Sequence, residues 1–269
     1  MLRAADPAAK VALTRQLIEC WRFGDLPIGT AVPPPRPARP ERPVLLPPRD
    51  MPKRRHFGSR TGHIALLHAL AHIELNAIDL AWDMVARFGG PGMPREFAGD
   101  WAEVAAEEAE HFELLAARLE ALDVAYGDLP AHDGLWEAAA ATAQDLLARL
   151  AVVPLVLEAR GLDVTPAMIE RLGCAGDRDS AAVLERIYRD EIGHVAVGAR
   201  WFDRLCRDAG LDPALTYQHR VRRYFRGTLK PPFNDAARTA AGFPVGWYEL
   251  LAEPAESLIA GSAPSKHSR

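Results

Sequence analysis

Apolar residues recur at three- and four-residue intervals through most of this chain, which places them on one face of a helix. Residues 8–24 show the pattern through Val11, Leu13, Leu17, Ile18 and Trp21. Four longer stretches follow. The first is predicted over 61–88, closed by Gly89-Gly90-Pro91, and the second opens at Pro94, a favoured first-turn residue, and runs to about Ala125. The third opens after Asp133 and ends before Gly161; the fourth runs from Asp179-Ser180 to just before Gly210. Shorter helical pieces are expected over 166–172 and 217–226, with two more after the proline turn at 230–233. Sustained two-residue alternation is missing, as are Asn-Gly and Asp-Gly hairpin turns, so no strands are expected.

Four long helices with short connections predict an all-α four-helix bundle over 56–212. Ahead of it, residues 27–52 are dense in proline (PPPRPARPERP, LPP), which excludes helix interior and central strand. Residues 1–55 are therefore read as an N-terminal helix and an extended arm. The arm is expected to lie on the bundle as a strap, with Val44, Leu45 and Leu46 to bury; a disordered linker is the alternative. A C-terminal helical extension is expected over 213–252 and a disordered polar tail over 253–269.

Composition narrows the class. The 269 residues are 49% hydrophobic and 25% charged, with a net charge of −4 and a pI near 6.1, values of a soluble globular protein. They argue against a nucleic-acid binder, whose surface would be strongly basic. Cys20, Cys174 and Cys206 are odd in number and without CxxC spacing, so a reducing cytoplasm is expected rather than a disulfide framework or a zinc ribbon. Neither a signal peptide nor a run of about 18 apolar residues is read from the sequence, and no membrane partner is expected.

The chemistry lies in charged residues set within the apolar ridges. On the second helix Glu108 and His111 stand three apart on the ridge of Val104 and Leu115; on the fourth, Glu191 and His194 repeat the spacing beside Leu184, Ile187, Tyr188 and Val195. Gly193 and Gly198 are expected to let a neighbouring helix approach. The other two helices each carry one such carboxylate, Glu74 among Leu67, Leu70, Ala71 and Ile78, and Glu158 among Ala151, Pro154, Leu155 and Leu162. In chain order this is Glu, Glu-x-x-His, Glu, Glu-x-x-His, the ligand inventory of a di-metal carboxylate bundle. Hard carboxylates can bridge two divalent ions, iron or manganese, while each imidazole adds a neutral ligand and leaves positions open for dioxygen, peroxide or water. Without metal, four buried carboxylates would repel one another. Glu158 falls near the end of its predicted helix. Either that helix continues past Gly161 toward Arg171 or it is shifted along the axis, and Pro154 is expected to kink it.

The segments HIELNAIDLAWD, EEAEHFELL, LEARGLDVTP, YRDEIGHVAVG and LKPPFNDAARTAAGF resemble the ferritin-like bacterial family known as the domain of unknown function 455, over roughly residues 8–252. The resemblance implies a ferritin-like bundle with a di-metal centre and assigns no reaction.

Neighbouring residues have plainer readings. Glu107, Glu110 and Glu113 read as a solvated face, and His63, His68 and His72 as surface groups or supports of the site. Asp190 and Asp79 either accept a hydrogen bond from a ligand imidazole or are ordinary surface carboxylates. Tyr188 either approaches the metals as a redox-active phenol or simply packs, and Arg160 is free to pair with a buried carboxylate or an anionic substrate. Arg220, Arg222, Arg223 and Arg226 read as a charged helix face. The functional expectation is an oxygen-dependent oxidase or hydroxylase of a small organic substrate. Its alternatives are a peroxide- or iron-detoxifying protein, a metal-stabilised interaction module, or a tRNA-modifying hydroxylase that uses the arginine stretch.

Overall fold

Side-chain caps begin most of the helices in this protein, for which a computed structural model describes residues 1–24, 26–30, 32–51 and 59–252. Asp6 accepts from the Ala9 amide to open α1 (Pro7–Arg22), and Ser59 from Gly62 to open α2 (Arg60–Phe88). Helix α3 (Arg95–Glu120) follows Pro94, and α4 (Gly134–Ala141) follows Asp133. Asp145, Asp177, Asp212 and Asn234 cap α5 (Leu146–Val152), α7 (Arg178–Asp208), α8 (Pro213–Tyr224) and α9 (Asp235–Ala240). Helices α6 (Ala159–Cys174) and α10 (Val245–Tyr248) complete the set. The chain is all-helical: among the described residues no strand forms, only isolated bridges such as Leu45 with Ala131. The tail expected to be disordered lies outside the described residues.

The third predicted helix differs from expectation at both ends. It is interrupted at Thr142, whose hydroxyl bonds back to the Ala138 and Ala139 carbonyls, and Asp145 starts a new helix. Buried Arg149 fills the corner, donating to Thr142 Oγ1 (2.9 Å), the Ala139 carbonyl (2.6 Å) and Asp83 (2.6 Å). At the other end the helix does not stop before Gly161. It runs from α5 through a π-helical segment, Val153–Glu158, directly into α6 and on to Cys174. Pro154, which lacks the N–H that a regular helix needs, thus produces a widened turn. Pro166 lies inside α6, where the Leu162 carbonyl it would leave unpaired accepts from Asn234 Nδ2 at 3.1 Å. The C-terminal extension also braces the widened turn, since Tyr217 on α8 donates to the Leu155 carbonyl.

Helix α2 pairs with α3, α6 pairs with α7, and α3 packs against α7. Two apolar blocks form along these helices. One gathers Leu67, Leu75, Ile78, Leu115 and Leu184; the other gathers Phe97, Trp101, Leu155, Phe202 and Tyr217. Glu108 with His111, and Glu191 with His194, sit where their helices pass from one block to the other. By length and composition α2 could cross a membrane, but most of its apolar surface is buried inside the protein.

Where described, the proline arm lies against the helical body. Backbone bonds tie Ala38 to Leu2, Leu46 to Ala131 and Ala131 to Val44, although the Val44 side chain stays exposed. Arg39 on the arm and Lys10 on α1 both reach Asp79 on α2, so Asp79 accepts no bond from an imidazole and instead pins arm and N-terminal helix to the core. His68 and His72 are buried rather than at the surface. His68 Nε2 accepts from the Gly127 amide at 2.9 Å; His72 lies between Tyr126 Oη (2.8 Å) and Asn76 Nδ2 (3.1 Å). Burial, helped by the Arg39 charge, lowers the His72 imidazole to about 4.

Of the two glycines expected at a helix crossing, only Gly198 is at one. A Cβ there would stand 2.6 Å from Pro154 Cβ, whereas at Gly193 it would meet open space. Gly198→Ala is expected to destabilise the protein by about 1–3 kcal/mol and Gly193→Ala to leave stability equal or raised by up to about 1 kcal/mol, both read by urea unfolding. A second prediction concerns pH. Folded His72 stays neutral down to about 4, whereas in the unfolded chain an imidazole takes up its proton near pH 6.5. Its contribution, on the order of 3 kcal/mol, is complete above about pH 6.5 and is lost as pH falls toward 4. Unfolding of His72→Gln across pH 4–7 should show a shallower loss than the parent protein, and parallel curves would refute the assignment.

Candidate metal centre

Each helical segment brings its carboxylate to the junction between the two apolar blocks. The ligating atoms of Glu74 on α2, Glu108 and His111 on α3, and Glu191 on α7 all lie within 4.8 Å of one another. His194 joins through Nδ1, 3.0 Å from Glu108 Oε1 and 3.7 Å from Glu191 Oε1. His111 Nδ1 stands 3.5 Å from both Glu74 Oε2 and Glu108 Oε2. Glu108 therefore has one oxygen toward each imidazole. Glu158, at the end of the widened turn, lines the same cavity as Glu74, Glu108 and Glu191. All six residues singled out by the Glu/Glu-x-x-His spacing are thus gathered in one place.

The outer nitrogens are cross-wired. His111 Nε2 pairs with Asp190 Oδ2 at 3.0 Å and His194 Nε2 with Glu107 Oε2 at 2.8 Å, so the acidic residue preceding each ligand-type glutamate supports the imidazole of the other motif. Of the two proposed acceptors, Asp190 fills the role and Asp79 does not. Glu107, read as solvated face, belongs to the site although its side chain is 46% exposed. Its signal was the doubled acidic pair, Glu107-Glu108 and Asp190-Glu191, each three residues before a histidine.

Electrostatics follow from burial and crowding. Burial, with neighbouring carboxylates, raises the Glu74, Glu158 and Glu191 carboxyls well above or above their ordinary range. Burial also opposes ionisation of Glu108, but the imidazoles of His194 and His111 outweigh it and hold this carboxyl low. Against the same burial, Glu108 and Glu74 push His111 up to about 11, and Glu108 with Glu107 pushes His194 well up. Burial and crowding thus push three of the carboxyls up, while Glu108 is held low between two imidazoles that are pushed up.

The donor set suits divalent cations. Glu74 Oε2, both Glu108 oxygens, Glu158 Oε2, Glu191 Oε2 and the Nδ1 atoms of His111 and His194 are all buried, with no hydrogen-bond partner outside the cluster. Native interiors rarely leave so many polar atoms facing only one another, and this cluster could hold a metal ion. Beyond the cluster, the Tyr188 hydroxyl accepts from Asn234 Nδ2 at 2.9 Å, and Arg220 pairs with Asp145 at 3.2 Å.

A buried carboxylate–imidazole cluster on an all-helical scaffold is the class these features define. The chain belongs to the family described as Protein of unknown function (DUF455), whose model matches residues 3–249. An uncharacterized protein of Haemophilus influenzae is 45% identical over 213 residues, covering 77% of this chain and 73% of the relative. No solved structure matches the chain.

An isolated buried acid with no partner weakens a fold, so Glu158→Leu is expected to raise stability by about 1–3 kcal/mol in chelator-treated protein. Denaturant unfolding with EDTA measures this; a loss of stability would show that Glu158 has a structural partner.

Proposed function

We propose that Glu74, Glu108, His111, Glu158, Glu191 and His194 hold two divalent metal ions, iron or manganese, within a ferritin-like four-helix bundle, and that the protein is an oxygen-dependent oxidase or hydroxylase of a small organic substrate. The observation that carries this reading is the convergence, from four helical segments, of seven buried donor atoms with no partner outside the cluster. Glu108 faces both imidazoles, with Glu74 near His111 and Glu191 near His194, and together with Glu158 these residues would hold the metals. Asp190 and Glu107 fix the imidazole tautomers, keeping Nδ1 free to ligate. Two reduced ions would supply two electrons which, with two from a substrate C–H bond, reduce dioxygen to one inserted hydroxyl oxygen and one water; further turnovers need an external electron donor. What favours an organic substrate over peroxide removal is a cavity of about 200 Å³ that reaches the carboxylates and is walled by Leu70, Ala77, Leu80 and Ile187.

Four carboxylates and two divalent ions balance in charge, and ligation requires ionised carboxyls and imidazoles with a free nitrogen. Metal binding should release several protons and tighten as pH rises. Elemental analysis of protein purified without added metal should find two ions per chain. Asp190→Asn and Glu107→Gln should each weaken retention by about 10–100-fold. Anaerobic ferrous loading followed by air should give the absorption of an oxidised di-iron pair. Folded protein that binds fewer than one ion per chain would overturn the metal reading; two bound ions that consume peroxide but leave no oxygen-dependent absorption would favour detoxification instead.

A further inference from the structure

The cavity that reaches the carboxylates has its own chemistry. Its volume, about 200 Å³, lies below the ~300–1,000 Å³ of most ligand cavities, which suits a short carbon chain or a single ring. Apart from the cluster itself, its walls are nearly all apolar, among them Leu135, Val153, Leu157 and Met168. Ile73 at the rim is a large aliphatic side chain left 40% exposed. An apolar slot ending on a polar cluster would hold the carbon skeleton of a ligand in contact with the reacting centre.

Two features beyond the cluster specify what enters. The first is Arg160, one helical position past the start of α6, which lines the slot and whose side chain is 42% exposed. Its nearest carboxylate is Asp163, at 3.5 Å, but Asp163 is already held by Arg238 through two bonds of 2.9 and 2.8 Å and by the Asn234 amide at 2.9 Å. One carboxylate therefore serves two guanidinium groups. Among the described residues the only other close partner of Arg160 is the neutral Lys230 carbonyl at 2.7 Å, so a positive charge at the rim is left unbalanced. Arg160 also lines an adjoining hollow of about 120 Å³ with Lys230 and Phe233. The second feature is Gly161, which sits within helix α6 where glycine weakens the helix. A Cβ there would meet nothing within 4 Å, and Gly161 lines the slot, so the missing side chain leaves the cavity open.

We propose that this cavity binds a small amphipathic organic anion, with its apolar portion in the slot against the carboxylate cluster and its anionic group paired with Arg160. As the identity of the substrate, this rests on the di-metal oxidase reading; as a binding site it stands on the cavity alone. A charge-assisted pair with Arg160 is absent from a neutral ligand of the same shape, a difference of about tenfold or more in affinity.

The test is calorimetric titration of the full-length protein with octanoate and with 1-octanol, alongside metal analysis of the same samples. Octanoate should bind about tenfold or more tightly than 1-octanol. Arg160→Met should remove that preference with metal content unchanged, and Gly161→Phe should abolish binding of both ligands while helix content by circular dichroism stays intact. Equal affinity for acid and alcohol, no binding of either, or octanoate binding that survives Gly161→Phe would overturn the proposal. Two bound ions without an octanoate preference would remove this inference and leave the metal reading standing. An octanoate preference in protein that takes up no metal would support the anion site and remove the di-metal reading.

Discussion

Four carboxyl groups and two imidazoles share one buried layer, and crowding of like charges away from water is the constraint on which the rest of the structure depends. An unmatched ion in such a place costs several kcal/mol, so the layer must either take up protons or hold cations. Three acids are pushed toward their neutral forms and two imidazoles toward their charged forms, with Glu108 ionised between them. The charged layer lies at the junction of the two larger apolar blocks.

Holding such a layer requires stiff surroundings, and they are supplied by ion pairs placed away from it. Asp79 and Asp83, one turn apart on α2, take Lys10 and Arg39 from the N-terminal side and Arg149 and Arg87 from within the helical body. Asp163 does the same on α6 for Arg238 of the C-terminal extension. Pairs of this kind contribute little net stability, because desolvation opposes their attraction, but losing one partner is costly. Their effect is therefore on geometry: the arm, α1 and the C-terminal pieces are fixed to the two helices, α2 and α6, that lack a Glu-x-x-His motif of their own. Helices α3 and α7 are held across the centre by the crossed pairs from Asp190 to His111 and from Glu107 to His194.

Much of this could be read from the sequence, because apolar periodicity fixes which side chains share a ridge. The boundaries of α2, α3 and α7 fall near their expected places, and the Glu/Glu-x-x-His spacing located all six members of the cluster. What escaped was what periodicity does not encode. Helix α4 separates from α5 through a local bond of the Thr142 hydroxyl and a buried arginine from the next helix. Pro166 is tolerated mid-helix because Asn234, far along the chain, reaches the carbonyl it leaves free. Glu107 looked like solvent-facing charge because its side chain is half exposed; only the fold shows which imidazole it meets. His68 and His72 looked peripheral because their partners, Gly127 and Tyr126, belong to a connection with no periodicity.

The widened turn over Val153–Glu158 joins these threads. Pro154 cannot donate to the preceding turn, and its ring presses on α7 where Gly198 has no side chain, so the turn is fixed by a missing hydrogen bond and a missing Cβ on facing helices. One additional residue in a turn rotates everything after it by about 100°. Glu158 is the last residue of that turn, with Arg160 and Gly161 next along α6, and all three line the same cavity. A regular helix through Pro154 would send these side chains elsewhere. The same local defect therefore delivers the fourth carboxylate, places an unbalanced cation at the rim and leaves a gap between them, which makes the position of the cluster and the shape of its cavity consequences of a single packing contact.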